Sequence, residues 1–267
     1  MLRPRIIPCL LVRNKGLVKT VRFRAGKYVG DPINAVRIFN EKEADELMVL
    51  DIDATAKGAE PDMRMIQFWA AECRMPLCYG GGVKTVQQAK AIIGLGVEKV
   101  AISSAAVENP ELVTAISDEV GSQSVVVVLD VKKAEGNHEI WTHNATRNTG
   151  QCPIEFSRRL QTLGVGEIVL NCIDNDGEMK GYDFQIAGQV RQAVKVPMSV
   201  LGGAASLKDI GDLIQRFGII GAAAGSLFVF KGSYKAVLIN YPNPTIKEQL
   251  VRDSLAIHLR RKGGDEI

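Results

Sequence analysis

Eight short apolar runs recur along the chain, at 6–12, 47–53, 76–82, 100–104, 124–131, 168–174, 196–203 and 222–228. Each is nearly continuous in its hydrophobicity, which marks a parallel strand buried on both faces. Amphipathic stretches at 32–44, 61–72, 85–95, 110–120, 153–163, 184–193 and 207–217 fill the gaps and read as helices. Strand alternating with helix, eight times over, closes into an α/β (β/α)8 TIM barrel rather than an open sheet. A length of 267 residues suits one such barrel, expected as a single domain over 1–267. A last amphipathic helix is expected at about 245–261, with a frayed end over 263–267.

The two halves resemble each other. Gly81-Gly82, Thr85 and Ser103-Ser104 match Gly202-Gly203, Ser206 and Gly225-Ser226 at offsets of 121 and then 122 residues, and Glu46 matches Glu167 at 121. Such self-similarity reads as a duplicated half-barrel. The matched positions follow strands three, four, seven and eight. A glycine there lets a backbone N–H approach an anion, and a serine adds a donor. The loops after strands seven and eight of such barrels commonly hold phosphate. The same device on both sides implies a long ligand with a phosphate towards each end. The alternative is that these glycines only make tight turns. Segment 13–30 carries Arg13, Lys15, Lys19, Arg22, Arg24 and Lys27 with no acidic residue before Asp31. With Gly16 and Gly30 at its ends it is expected to be a mobile lid that steers a polyanion inward, the alternative being a solvated, disordered loop.

Other classes of function are disfavoured. A net charge of +3 is too small to imply nucleic-acid binding. The five cysteines form no C-x-x-C pair, and an odd number of thiols in apolar runs suits a reducing compartment. None of the three histidines is placed at the end of a strand, so no histidine-based metal site is expected, nor an organic cofactor. Without an apolar run of membrane-spanning length or a signal peptide, the expected location is the cytoplasm.

The runs Arg5-Ile-Ile-Pro-Cys-Leu, Asp51-Ile-Asp, Gly80-Gly-Gly, Ala105-Ala-Val-Glu-Asn-Pro, Asp174-Asn-Asp-Gly, Gly181-Tyr-Asp and Gly202-Gly-Ala are more specific than barrel architecture. Through them the chain resembles the cyclase subunit of imidazole glycerol phosphate synthase, from residue 1 to about 242. That resemblance implies a glutaminase partner at the barrel bottom. Its ammonia passes up the barrel axis to a phosphorylated ribonucleotide at the top, which is cleaved as a ring closes. It implies that Asp130 is one of two catalytic aspartates. Gly82 and Ser104 correspond to a first phosphate site, in which Ser103 replaces the usual asparagine. Gly177, Gly203, Gly225 and Ser226 correspond to a second, with Asp176 beside it. Arg5, Glu46, Lys99 and Glu167 correspond to a ring of charges that gates ammonia. Each of the four directly precedes a strand, so all four belong to the bottom face, where they either gate an axial opening or simply close the barrel.

The chain departs from the family at Leu11, the repeat counterpart of Asp130, where the second catalytic aspartate belongs. Leucine can act neither as acid nor as base. Asn171 and Leu201 also stand where the family shows hydroxyl residues. An intact gate beside half-removed ring-closing machinery resembles a divergent branch of the family found with surface-polysaccharide genes. In that branch the barrel and its glutaminase supply ammonia for acetamidino sugars, and a third protein performs the amidination. The alternatives are a genuine histidine-pathway cyclase, with Asp51, Asp53 or Asp176 replacing the missing carboxylate, and a non-catalytic scaffold that activates the glutaminase.

Overall fold

The protein is described from a computed structural model covering residues 3–232 and 234–264. The strands are β1 (Arg5–Arg13), β2 (Leu47–Asp51), β3 (Leu77–Gly80), β4 (Lys99–Ile102), β5 (Val125–Ala134), β6 (Glu167–Cys172), β7 (Met198–Leu201) and β8 (Gly221–Ala224). Each pairs in parallel with its neighbours, β8 pairs with β1, and β5 pairs with β6, so the sheet closes as a (β/α)8 barrel. The helices are α1 (Pro32–Glu41), α2 (Met63–Glu72), α3 (Val86–Gly94), α4 (Glu111–Val120), α5 (Pro153–Thr162), α6 (Phe184–Ala193), α7 (Leu207–Phe217) and α8 (Pro244–Gly264). The tail expected to fray continues past Gly264 into 265–267, which lie outside the described residues.

The period of two along each strand sorts its side chains. On β1, Ile6, Leu10 and Val12 join the layer between barrel and helices, while Ile7, Cys9 and Leu11 join Met48, Cys78, Val126, Val128, Val169 and Leu201 inside the barrel. The same alternation carries Glu167, Val169 and Asn171 up the inside of β6, and Val126, Val128 and Asp130 up the inside of β5. The bottom charges and the top polar groups therefore lie at opposite ends of shared inward columns.

The sequence repeat has a geometric counterpart. Thr85 caps α3 by accepting from the Gln88 amide at 3.2 Å, and Ser206 caps α7 in a capping box with Asp209. Gly81 and Gly202 both have left-handed backbones, with φ of 124° and 96°. A Cβ at Gly81 would lie 2.4 Å from the Asp51 carbonyl oxygen, and one at Gly202 would lie 2.7 Å from that of Cys172. Gly81→Ala is expected to cost more than about 1 kcal/mol of stability, read as a lower urea midpoint, because it adds both a clash and a strained φ.

Two hairpins and two short helices differ from the sequence reading. Segment 13–30 is not a loop but a β-hairpin of Gly16–Val21 and Arg24–Gly30, paired onto the top of β1 through Leu11↔Val18 and Val12↔Leu17. A second hairpin follows β5: its upper half pairs with Asn137–Thr142, which pairs in turn with Arg147–Asn148. Short helices Ser104–Glu108 and Ser226–Val229 follow β4 and β8 where longer strands were expected.

Candidate functional site

At the bottom of the barrel the four expected charges meet in a closed ring. Arg5 pairs with Glu46 and lies 2.7 Å from Glu167, while Lys99 lies 2.9 Å from Glu46 and 2.8 Å from Glu167. Ser199, inward on β7, donates to Glu167 from the barrel interior. Both glutamates are almost fully buried, whereas the Arg5 and Lys99 side chains keep 24% and 17% exposure, so the ring faces solvent through its cations. Burial pushes the Glu167 carboxyl up, but Arg5 and then Lys99 outweigh it and hold it well below the usual carboxylate range. Glu98 lies just before Lys99 and is spent on the fold, accepting from the Leu77 amide at 2.7 Å.

At the top a cavity of about 1000 Å³, counting its open mouth, lies over the barrel interior. Gly82, Ser103, Ser104, Asp130 and Asp176 line it, together with Leu11, Leu50 and Leu201. Asp130 accepts from Asn171 Nδ2 at 2.8 Å and from Ser103 Oγ at 3.3 Å. Burial dominates its environment and lifts its pKa to about 7. The two hydrogen bonds oppose that rise and the nearby Asp176 charge adds to it. Asn171 is 5% exposed, and its Oδ1 has no partner among the described residues. Leu11 turns the opposite wall apolar. It packs with Leu201, Val18 and Leu50, leaving no carboxylate in the position that mirrors Asp130. Of the proposed stand-ins, Asp53 is held by Arg13 at 3.0 Å and Lys57 at 2.7 Å, and Asp51 accepts from the Asp53 and Ala54 amides. Asp176, raised mainly by burial, accepts from Thr20 Oγ1 at 3.1 Å.

The first hairpin separates this cavity from the second set of glycines. The Arg22 amide donates to the Asp176 carbonyl at 2.9 Å. A Cβ on Gly177 would lie 2.3 Å from the Thr20 carbonyl oxygen, so glycine there lets the hairpin lie down. Lys19, expected on a lid, is 5% exposed, and its Nζ would lie 1.9 Å from a Cβ on Gly225. Gly177, Gly203, Gly225 and Ser226 therefore form no part of the cavity wall. The expected hinge glycine Gly16 instead makes close contact with the Tyr28 ring.

The second hairpin brings in residues that the sequence reading missed. The next turn, between Asn137–Thr142 and Arg147–Asn148, crosses the mouth: the His143 amide donates to Ser104 Oγ at 3.2 Å, and Asn144 Nδ2 donates to the Ile52 carbonyl at 2.6 Å. His143 follows the strand Asn137–Thr142 and lines the cavity, contrary to the expectation that no histidine sits at a strand end. The signal was present as Glu135-Gly136, a turn pair between two runs with strand character.

A model of the histidine biosynthesis protein family matches residues 5–235. The chain belongs to that family. It is 59% identical over 251 residues to a Vibrio vulnificus protein provisionally named imidazole glycerol phosphate synthase subunit hisF3, spanning 93% of this chain and 96% of that one. A Pseudomonas aeruginosa protein with the same provisional name, numbered hisF2, is 51% identical over 91% of this chain and 97% of its own. The imidazole glycerol phosphate synthase subunit HisF of Alkaliphilus metalliredigens is 37% identical over 98% of this chain and its own full length. Greater likeness to the numbered copies than to that HisF is the pattern of a divergent paralogue. No helix among the described residues is long and apolar enough to cross a membrane.

Proposed function

We propose that the barrel is the ammonia-receiving subunit of a glutamine amidotransferase, divergent from the histidine-pathway cyclases and serving the amidination of a nucleotide sugar in surface-polysaccharide synthesis. A glutaminase docks against the bottom face, and ammonia enters through the ring of Arg5, Glu46, Lys99 and Glu167. A third protein that carries the sugar collects it at the top. The observation that carries this reading is the pairing of a complete four-charge ring with a top face reduced to one mirrored carboxylate. A ring that only sealed the barrel would be replaced at lower desolvation cost by apolar side chains, so charges retained there favour a gate. Opening it means parting one cation from two glutamates, and the partly exposed Arg5 and Lys99 are the members a docked partner can reach.

Gly82, Ser103 and Ser104 form the cradle for one phosphate of a small-molecule ligand. Gly177, Gly203, Gly225 and Ser226, with Asp176 beside them, form the second cradle once the first hairpin lifts as a lid and withdraws Lys19. Asp130, with a pKa near neutrality, is the proton-transfer group left at the end of the ammonia path. With Leu11 opposite, the site lacks the second acid–base group that ring closure needs.

The test compares two nitrogen sources in the complex with its glutaminase. Lys99→Ala is expected to reduce glutamine-driven amidination by about ten-fold or more while amidination driven by added ammonia is unchanged, since external ammonia reaches the top directly. If glutamine-driven amidination were unchanged, the channel would be excluded.

A further inference from the structure

A second cleft lies on the rim of the mouth, between the tip of the first hairpin and the turn that joins Asn137–Thr142 to Arg147–Asn148, and belongs to neither phosphate cradle. Arg22, Phe23 and Arg24 form one wall and Lys132, Asn144 and Thr146 the other, with Asp174 at its edge. Three cations thus face one carboxylate. Arg22 is matched by Glu178 at 3.0 Å, but neither Arg24 nor Lys132 has a carboxylate partner among the described residues. Lys132 instead rests its ammonium 4.7 Å from the centre of the Trp141 ring. Asp174 already accepts from the Lys133 amide at 2.9 Å. Unpaired cations gathered in a concave site repel one another and raise the local concentration of anions.

The backbone supplies an independent observation. Val21 pairs with Arg24, so Arg22-Phe23 is a two-residue hairpin turn, and both residues are left-handed, with φ of 51° and 62°. That turn strongly prefers Asn-Gly. Side chains there carry a strain of order 1 kcal/mol each, which is tolerated where the side chains themselves are needed. The turn on the opposite wall has the same character: His143, Asn144 and Ala145 are left-handed in succession, with φ of 52°, 54° and 60°. Phe23 and Asn144 line both this cleft and the main cavity, so the two spaces adjoin.

We propose that this rim cleft is an anion subsite for a phosphate or diphosphate group, held chiefly by Arg24 and Lys132, with the rest of the ligand directed past Phe23 into the main cavity. The probe is inorganic pyrophosphate, titrated calorimetrically into the full chain. Saturable binding is expected, and it should quench or shift indole fluorescence as Lys132 leaves the Trp141 ring; Trp141→Phe should abolish that signal while leaving the calorimetric affinity intact. The double variant Arg24→Ala with Lys132→Ala should weaken binding by at least about ten-fold, the loss expected for two charge-assisted contacts. Both residues are on the mouth surface, so the variant should fold. Lys90→Ala, on α3 where the side chain pairs with Glu119 outside both cavities, should leave affinity within about two-fold. Absence of saturable binding, affinity indifferent to the double variant, or a ten-fold loss in Lys90→Ala would each overturn the proposal. No glutamine or ammonia enters the measurement, so its outcome is separate from that of the ammonia-channel reading.

Discussion

Glu167→Ala is expected to destabilise the folded barrel by about 3–5 kcal/mol, the cost of removing one partner from a buried ionic cluster. Glu167 is 4% exposed and accepts from Arg5, Lys99 and Ser199 together. Its loss leaves two cations sharing Glu46 and strands the fully buried Ser199 hydroxyl without its acceptor. The pH dependence has a definite sign. Arg5 and Lys99 together outweigh burial and depress the folded pKa of Glu167, so its contribution is complete above the unfolded value of about 4.3. It is lost as pH falls through the folded value. Urea unfolding at neutral pH should show the full gap between wild type and Glu167→Gln, and the gap should close on acidification below about pH 4. A gap within about 1 kcal/mol at neutral pH would mean that the ring contributes no more than surface ion pairs do.

Asp130→Asn should move stability and function in opposite directions. Burial raises the folded pKa to about 7, against about 3.9 for an unfolded aspartate. Between those values the folded state holds a proton that the unfolded state has released, so wild-type stability declines as pH rises from about 4 to 7 and is level above. Asparagine carries no charge to desolvate. The variant should therefore match wild type near pH 4 and exceed it at pH 8 by an amount of order a few kcal/mol, read from denaturant midpoints across pH. Over the same range ammonia transfer in the assembled complex should fall by about a hundred-fold, the usual weight of one general acid–base group. A protein that only activates its glutaminase would show the stability change without the loss of transfer.

The barrel was legible because a strand covered on both faces must be apolar throughout, and all eight runs obey that rule. Helix limits were recovered closely where caps or prolines mark them: Pro32 and Pro153 begin α1 and α5, and α6 and α7 match at both ends. The expected strands overran the observed ones at 81–82 and 202–203, because glycines that continue an apolar run leave the ladder by adopting positive φ. The bottom ring was readable from the position of each charge before its strand, whereas its closure by Ser199 depends on a neighbouring strand that no local pattern reports. The hairpin at 16–30 was hidden by its cations. Lys19 and Thr20 are buried there because they face Gly225 and Asp176, partners more than 150 residues away. The second hairpin escaped for a related reason: Asn137–Thr142 is polar on one face and was absorbed into the gap before α5.

Under the proposed function the barrel keeps an ammonia route and a phosphate cradle without complete ring-closing chemistry. The most direct measurement gives the purified barrel, with no partner, the ribonucleotide used by the family's cyclases together with ammonium salt, and follows cleavage and ring closure while a parallel titration follows binding. Saturable binding with no turnover above background is the expected result. Turnover that Asp130→Asn abolishes would contradict it, because the chain would then be a working cyclase that tolerates Leu11.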